Sequence, residues 1–460
     1  MMKNIARMVV FRMPLFLLVS MLLLTIIPTH AAALSEDSLQ SLVAREPDNP
    51  RHWFSLGALA LGNNQIDLAK GYFDEAVKAN RKDDKIILQI GELWLGVNLT
   101  RQCLAYWMPN LKLLNENQLE RLQAALERDK MYTVQLTVLR FITGLANTFQ
   151  PFPKKATILA YNMGEYKLCQ GIIATFAEQA DIESARRYLM SSLFLGGGSD
   201  PRVLSVLLKK FPQEEIEAHV AVQYALLGKW KEARSYCSKS KNSTQYRDLY
   251  HYIKAMDAGT QDEADEAIEE YQKALETAVD LVKMVIQVDL YRQLASTGNK
   301  FQGDQLWDSL KTDYTTATQQ EFIAPQFKMR GYEKQAKYFY RSALRKHQSS
   351  IPAVQTLWDD FFDQDNLSTL EGHLRLILGE DPYSCEGNLL SMKFQLKQGN
   401  VKAVLPYGRN AIVYCYESIE PYYYMGNAYA ALSLPDEAKS YFNTYVQKGG
   451  DKNRIPVNFR

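Results

Sequence analysis

Charge of one sign is what this chain most plainly lacks: 53 Lys and Arg stand against 52 Asp and Glu in 460 residues. A near-neutral, evenly mixed surface has no electrostatic footprint for nucleic acid or acidic lipid, which argues against both as partners. Histidine is sparse, and beyond the N-terminus His52, His219, His251, His347 and His373 are scattered rather than clustered. No Gly-x-Ser-x-Gly, His-Glu-x-x-His, Cys-x-x-Cys or EF-hand spacing occurs, so neither a nucleophilic triad nor a dedicated metal site is expected. The turn Gly196-Gly197-Gly198 lacks the Lys-Ser/Thr that would let it hold phosphates. Sustained period-2 alternation of β-branched residues is missing as well, and no strands are expected.

One long apolar run is present, and it sits at the start. Lys3, Arg7 and Arg12 precede an apolar stretch over residues 14–27, which Pro28 ends before the small residues Ala31, Ala32 and Ala33. This is the three-part layout of a secretory signal, and the run is short of the roughly 20 residues that span a bilayer. Residues 1–33 are read as a signal peptide, cut after Ala31 or Ala33, so the mature chain is periplasmic or secreted. It then carries no integral membrane segment and a net charge of about −2 once three basic residues are lost.

What the rest of the chain has is a period. With Ile419 as position 1, Tyr422 falls at 4, Met425 at 7, Gly426 at 8, Tyr429 at 11, Ala438 at 20 and Phe442 at 24. A second unit starts at Pro50, with Trp53 at 4, Leu56 and Gly57 at 7 and 8, Ala69 at 20, Phe73 at 24 and Ala76 at 27. Small residues at 8 and 20 let two antiparallel helices approach, and large ones at 4, 7, 11 and 24 fill the space around them. Counting in steps of 34 gives further units from Asp84, Ala317, Ile351 and Cys385, and weaker ones from Gln150, Glu214, Asp248 and Met284. Residues 115–149 and the loop 195–201 resist the register and are read as joints. Asp200 there is placed to cap the helix that Pro201 begins.

These units resemble the tetratricopeptide repeat family, with Tyr in place of the usual Trp in the last one. The resemblance implies an all-α, right-handed superhelical solenoid of antiparallel helix hairpins, degenerate in the middle. The division expected is a signal peptide (1–33), an N-terminal block (34–117), degenerate hairpins (118–213) and a C-terminal block (214–460). It implies a concave groove, lined by first-helix positions, that receives a peptide or helix of a protein partner. Carried over, those positions are Arg51, Phe54 and Ala58; Lys85, Leu88 and Glu92; Gln355, Asp359 and Phe362; Glu386, Leu389 and Lys393; Tyr423 and Asn427.

Cys103 and Cys169 fall at position 20 and Cys237 at 24, where buried, inert thiols are expected. Cys385 and Cys415 occupy positions 1 and 31 of one unit, side by side in an antiparallel hairpin, a placement that admits a disulfide in an oxidising compartment. The function this points to is a non-catalytic exported scaffold that docks protein partners, without cofactor, in cell-envelope assembly or polysaccharide export. The alternatives are a helical-toroid carbohydrate-active enzyme or direct polysaccharide binding. The first would use acidic pairs such as Asp359-Asp360, Glu269-Glu270 or Glu214-Glu215, and Tyr422 to Tyr424 are the local hint of the second.

Overall fold

The computed structural model describes residues 35–459 except 80–83, 149, 212, 241–245, 365 and 416–417. The expected signal peptide therefore lies outside the described residues. Those residues form 26 α-helices and no β-strand. A lone helix, Glu36–Arg45, is followed by helix hairpins that run from Pro50–Gly62 with Ile66–Ala79 to Glu420–Ala431 with Pro435–Gln447. The fold is an all-α array of antiparallel helix hairpins.

The chain separates into two compact units, one ending at Val138 and the other beginning at Leu139. The division falls inside helix Tyr132–Thr143, so the stretch 118–213 lies on both sides of it.

The turn between the two helices of a hairpin carries the register. Position 15 adopts the left-handed backbone at Asn64, Asn98, Gly164, Gly228, Asp262, Gly298, Gly331, Gly399 and Ser433. The left-handed residue lets the chain reverse within a few residues, and Gly, Asn and Asp enter that region at least steric cost. The same turn recurs at Lys130 and Gly196, inside the two stretches read from sequence as joints. They link helix Glu116–Arg128 to Tyr132–Thr143 and Ile182–Phe194 to Pro201–Lys210. Lys130 is unusual there, since lysine seldom adopts positive φ. Asp200 does cap the helix begun by Pro201, accepting from the Arg202 N–H.

Packing inside the hairpins from Pro50, Asp84 and Ile419 rests on a small residue at position 8 facing a large one at 24. A Cβ on Gly57 would lie 2.5 Å from the Phe73 ring, one on Gly426 2.5 Å from Phe442, and one on Gly91 inside the Trp107 indole. Phe73 also meets Trp94 of the following helix edge-on, with centroids 5.4 Å apart, so a single ring joins two hairpins. Position 20 is closed in the same way: Ala69, Cys103, Cys169, Ala233, Ala267, Ala336 and Ala438 are all fully buried. In the hairpin from Cys385 the pair is reversed. Buried Met392 stands at position 8 and Gly408 at 24, where a Cβ would meet Met425 Sδ and lie 3.1 Å from Met392 Cε.

Residues 454–459 cover the hairpin of Glu420–Ala431 with Pro435–Gln447. Ile455 is buried there with Ala438, Phe442 and Tyr445, and the Phe459 ring lies 5.5 Å from Phe442. Arg454 holds the segment down through two hydrogen bonds to Glu420, of 2.6 and 3.0 Å.

Candidate partner-binding surfaces

In the first unit, Arg51 and Lys85 lie on the surface at the starts of first helices. Phe54 and Glu92 are both engaged by the chain itself. Phe54 is buried, its ring 5.9 Å from Phe73, because a large apolar side chain gains more by entering the hairpin than by facing water. Glu92 is committed to the next hairpin, accepting from Gln118 Nε2 at 3.1 Å and pairing with Arg121. Ala58 is buried and Leu88 half-buried.

In the second unit Gln355, Asp359 and Lys393 are exposed. Asp359 and Lys393 occupy the same repeat position in successive first helices. Lys393 Nζ sits 4.5 Å from the Trp358 ring centroid and Lys397 Nζ 3.6 Å from that of Phe362, so Phe362 is half-buried under a cation. Glu386 approaches Arg140 at 3.6 Å, and Leu389 is half-buried. Tyr423 lies under Arg454, whose guanidinium is 4.2 Å from the ring centroid, and Asn427 Nδ2 donates to the Tyr423 carbonyl at 2.8 Å. The C-terminal segment thus covers the face expected to be open in the last repeat. Tyr422 and Tyr424 are half-buried too, with Lys448 Nζ 5.4 Å from the Tyr422 ring centroid.

Between these stretches the chain meets itself. Gln326 Nε2 donates to the Phe194 carbonyl at 2.6 Å, across 132 residues of sequence. The Phe194 ring meets Phe322 edge-on at 5.1 Å, and Tyr166 meets Phe322 at 6.0 Å. A buried polar chain supports the junction. Arg330 donates to the Gln326 carbonyl oxygen and side-chain oxygen at 3.0 and 3.1 Å, and clamps Asp289 at 2.8 and 2.7 Å. Tyr252 OH completes it, donating to Asp289 at 2.8 Å. Burial pushes the Asp289 carboxyl up, but Arg330 and Arg292 more than offset this and leave it below its ordinary value. A groove running without interruption along the second unit is therefore not what the structure shows. The first-helix face near Phe322 and Gln326 is filled by the chain's own residues.

The acidic pairs are largely engaged in ion pairs. Asp360 accepts from Lys337 and Arg341 at 2.6 and 2.7 Å. Glu270 is buried, with His251 at 2.7 Å and Lys254 and Lys273 each at 3.0 Å. Burial raises its carboxyl, yet these three donors bring it down to about 2. Glu269 pairs with Lys273 at 2.7 Å. Glu165 behaves differently, its carboxyl pushed up by loss of water around it and by Glu386.

The structure joins Cys385 to Cys415 in a disulfide, with Cα atoms 5.0 Å apart. Cys103, Cys169 and Cys237 are free and buried. Burial raises the thiols of Cys169 and Cys237 to about 11 and about 12, which makes them poor nucleophiles at neutral pH. Among the described residues no helix is long and apolar enough to cross a membrane, and no group of three or more His, Cys, Asp or Glu is placed to hold a metal ion.

No family model matches the chain, and no curated protein matches it. Solved structures with a similar course include yeast Tom70, at 12% identity over 93% of this chain and 96% of that one, with a TM-score of 0.37. The APC/C hetero-tetramer Cut9–Hcn1 follows at 13% identity, 94% and 91% coverage and a TM-score of 0.28. Naa15/Naa10 bound to HypK-THB gives 11%, 90% and 81%, and 0.29. Likenesses this distant carry no argument about partner or activity. The hairpin type rests on the packing and turns described above.

Proposed function

We propose that this protein is an exported, non-catalytic scaffold that holds a protein partner on first-helix surfaces of its hairpin array, in the cell envelope. The observation that carries the reading is the pairing of Gln355 and Asp359 with Lys393 on successive first helices. These polar side chains are exposed, Asp359 and Lys393 stand in repeat register, and Asp359 makes no ion pair among the described residues. A mixed-charge strip on successive first helices suits recognition of a polar peptide or helix, and such strips act more on specificity than on raw affinity. Export rests on the basic, apolar and small-residue pattern of residues 1–33. The test is site-specific photo-crosslinking in exporting cells, with the crosslinker at Gln355, Asp359 or Lys393 and, as control, at exposed Lys439 of a second helix. A discrete adduct shared by the three first-helix sites and missing at Lys439 is the expected result. Equal adducts at all four sites, or adducts only at Lys439, would contradict the reading.

A toroidal carbohydrate-active enzyme would have to use Glu165 with Glu386 nearby, although Glu165 is exposed on the surface. Against it, a toroidal site needs an open centre, whereas Phe194, Phe322 and Gln326 meet directly. Glycan turnover abolished by Glu165→Gln would establish the enzyme and displace the scaffold.

A further inference from the structure

The hairpin that begins at Ile351 departs from the packing rule, and the departure opens a cleft. Positions 8 and 20, Gly and Ala in the hairpins from Pro50 and Ile419, are here Trp358 and Leu370, both buried. Two bulky residues cannot both occupy the space that Gly and Ala leave between antiparallel helices. The first helix is interrupted at Leu357 into two six-residue pieces, Ile351–Thr356 and Trp358–Asp363. Beside the break lies a cleft of about 460 Å³, lined by the second helix of the preceding hairpin, the interrupted helix and the second helix of its own hairpin. That volume is within the range of sites that enclose a small ligand or a pair of side chains.

The walls have a definite chemistry. Leu344, Leu357 and Phe361 supply the apolar part of the lining. Lys337, Arg341 and Arg345 recur every four residues along helix Glu333–Lys346, which places them on one face. Asp360 engages the first two of these cations, while Arg345 lines the cleft, is exposed and makes no ion pair among the described residues. His373 also lines the cleft and is only 9% exposed. Its Nδ1 lies 2.7 Å from the Gln348 carbonyl and must be the protonated nitrogen. Burial holds the imidazole below its usual pKa, so Nε2 is left as an acceptor with no partner among the described residues. Predicted first-helix residues Gln355, Asp359 and Phe362 are not part of this lining.

We propose that the cleft is a second docking site, for a short polypeptide segment of a partner in which an acidic side chain adjoins one the size of leucine. The three wall chemistries match three groups that such a segment presents together. Its carboxylate meets the Arg345 guanidinium, its apolar side chain covers Leu344, Leu357 and Phe361, and an amide N–H donates to His373 Nε2. An anionic glycan satisfies the first but has no apolar group for the floor. The site does not depend on the first-helix strip.

The test uses the full mature chain and a fluorescein-labelled peptide, Gly-Ser-Glu-Leu-Gly-Ser, followed by anisotropy. Controls are the peptides with Gln for Glu and with Ser for Leu, and a polygalacturonate oligomer as competitor. Saturable binding is expected, at least tenfold weaker for either control peptide and for Arg345→Glu. Arg375→Glu, on the same helix as His373 but outside the cleft, is expected to bind as the unmodified chain does. Both substitutions are of exposed residues, and an unchanged melting temperature shows that the fold is intact. No saturable binding up to millimolar peptide, or equal binding by the Gln peptide, would overturn the proposal. So would displacement by the oligomer with no dependence on the leucine, which would mark an anionic-glycan site instead. Loss of peptide binding in Arg345→Glu, with crosslinks at Asp359 and Lys393 retained, would separate this site from the first-helix strip.

Discussion

At the scale of single residues, one glycine type has two opposite roles in one hairpin. Gly57 faces Phe73 with no room for a methyl group, whereas Gly71, on the exposed side of helix Ile66–Ala79, has nothing within 4 Å of a built Cβ. Gly57→Ala is expected to destabilise by about 1–3 kcal/mol through overpacking. Gly71→Ala is expected to stabilise by up to about 1 kcal/mol, because alanine costs less backbone entropy in a helix. Chemical denaturation of the two variants measures both, and shifts of the same sign would show that the interlock of positions 8 and 24 is misassigned. Glu270 gives a second residue-scale expectation. Its carboxyl sits at about 2 in the fold and near 4.3 when unfolded. A lowered carboxylate contributes stability that is fully present above the unfolded value and lost as pH falls towards the folded one. The unmodified chain should therefore lose stability between about pH 4.5 and pH 2 more steeply than Glu270→Gln, and parallel curves would remove the ion cage from the account.

At the scale of the element, the sequence was legible wherever a repeat kept its small and large residues in the usual order. The hairpins from Pro50 and Ile419 could be read directly, because Gly57 with Phe73 and Gly426 with Phe442 are the packing rule itself. The hairpin from Cys385 read poorly because Met392 and Gly408 exchange the two sizes, a swap that conserves volume but defeats a pattern anchored on glycine at position 8. Residues 115–149 and 195–201 carry the left-handed turn at Lys130 and Gly196, but not the small and large residues of the repeat in register. Of the candidate site, the exposed positions Arg51, Lys85, Gln355, Asp359 and Lys393 could be placed by counting. The burial of Phe54 and the cover that Arg454 gives Tyr423 could not, since both depend on partners outside the repeat. The Cys385–Cys415 bridge closes 30 residues of chain, a loop for which the chain-entropy model gives roughly 3–4 kcal/mol. Alkylation of the denatured, unreduced protein should label Cys103, Cys169 and Cys237 only, and reductant should lower the melting temperature. Labelling of all five would contradict the bridge.

At the scale of the whole chain, long-range pairing was invisible to periodicity. Gln326 reaching Phe194, and Arg330 joining Asp289 and Tyr252 to that junction, are contacts between separate hairpins of the second unit with no common sequence signature. They fill part of a face that the repeat pattern alone leaves open, and they restrict docking to the remaining first-helix strip and to the cleft beside Arg345. The most direct measurement of the central claim is amide hydrogen exchange of the mature protein, free and saturated with the partner captured by crosslinking at Asp359. The account predicts slowed exchange in helices Trp358–Asp363 and Cys385–Lys397, with Pro435–Gln447 unchanged. Slowing confined to second helices, or exchange that the partner leaves unaltered throughout, would contradict it.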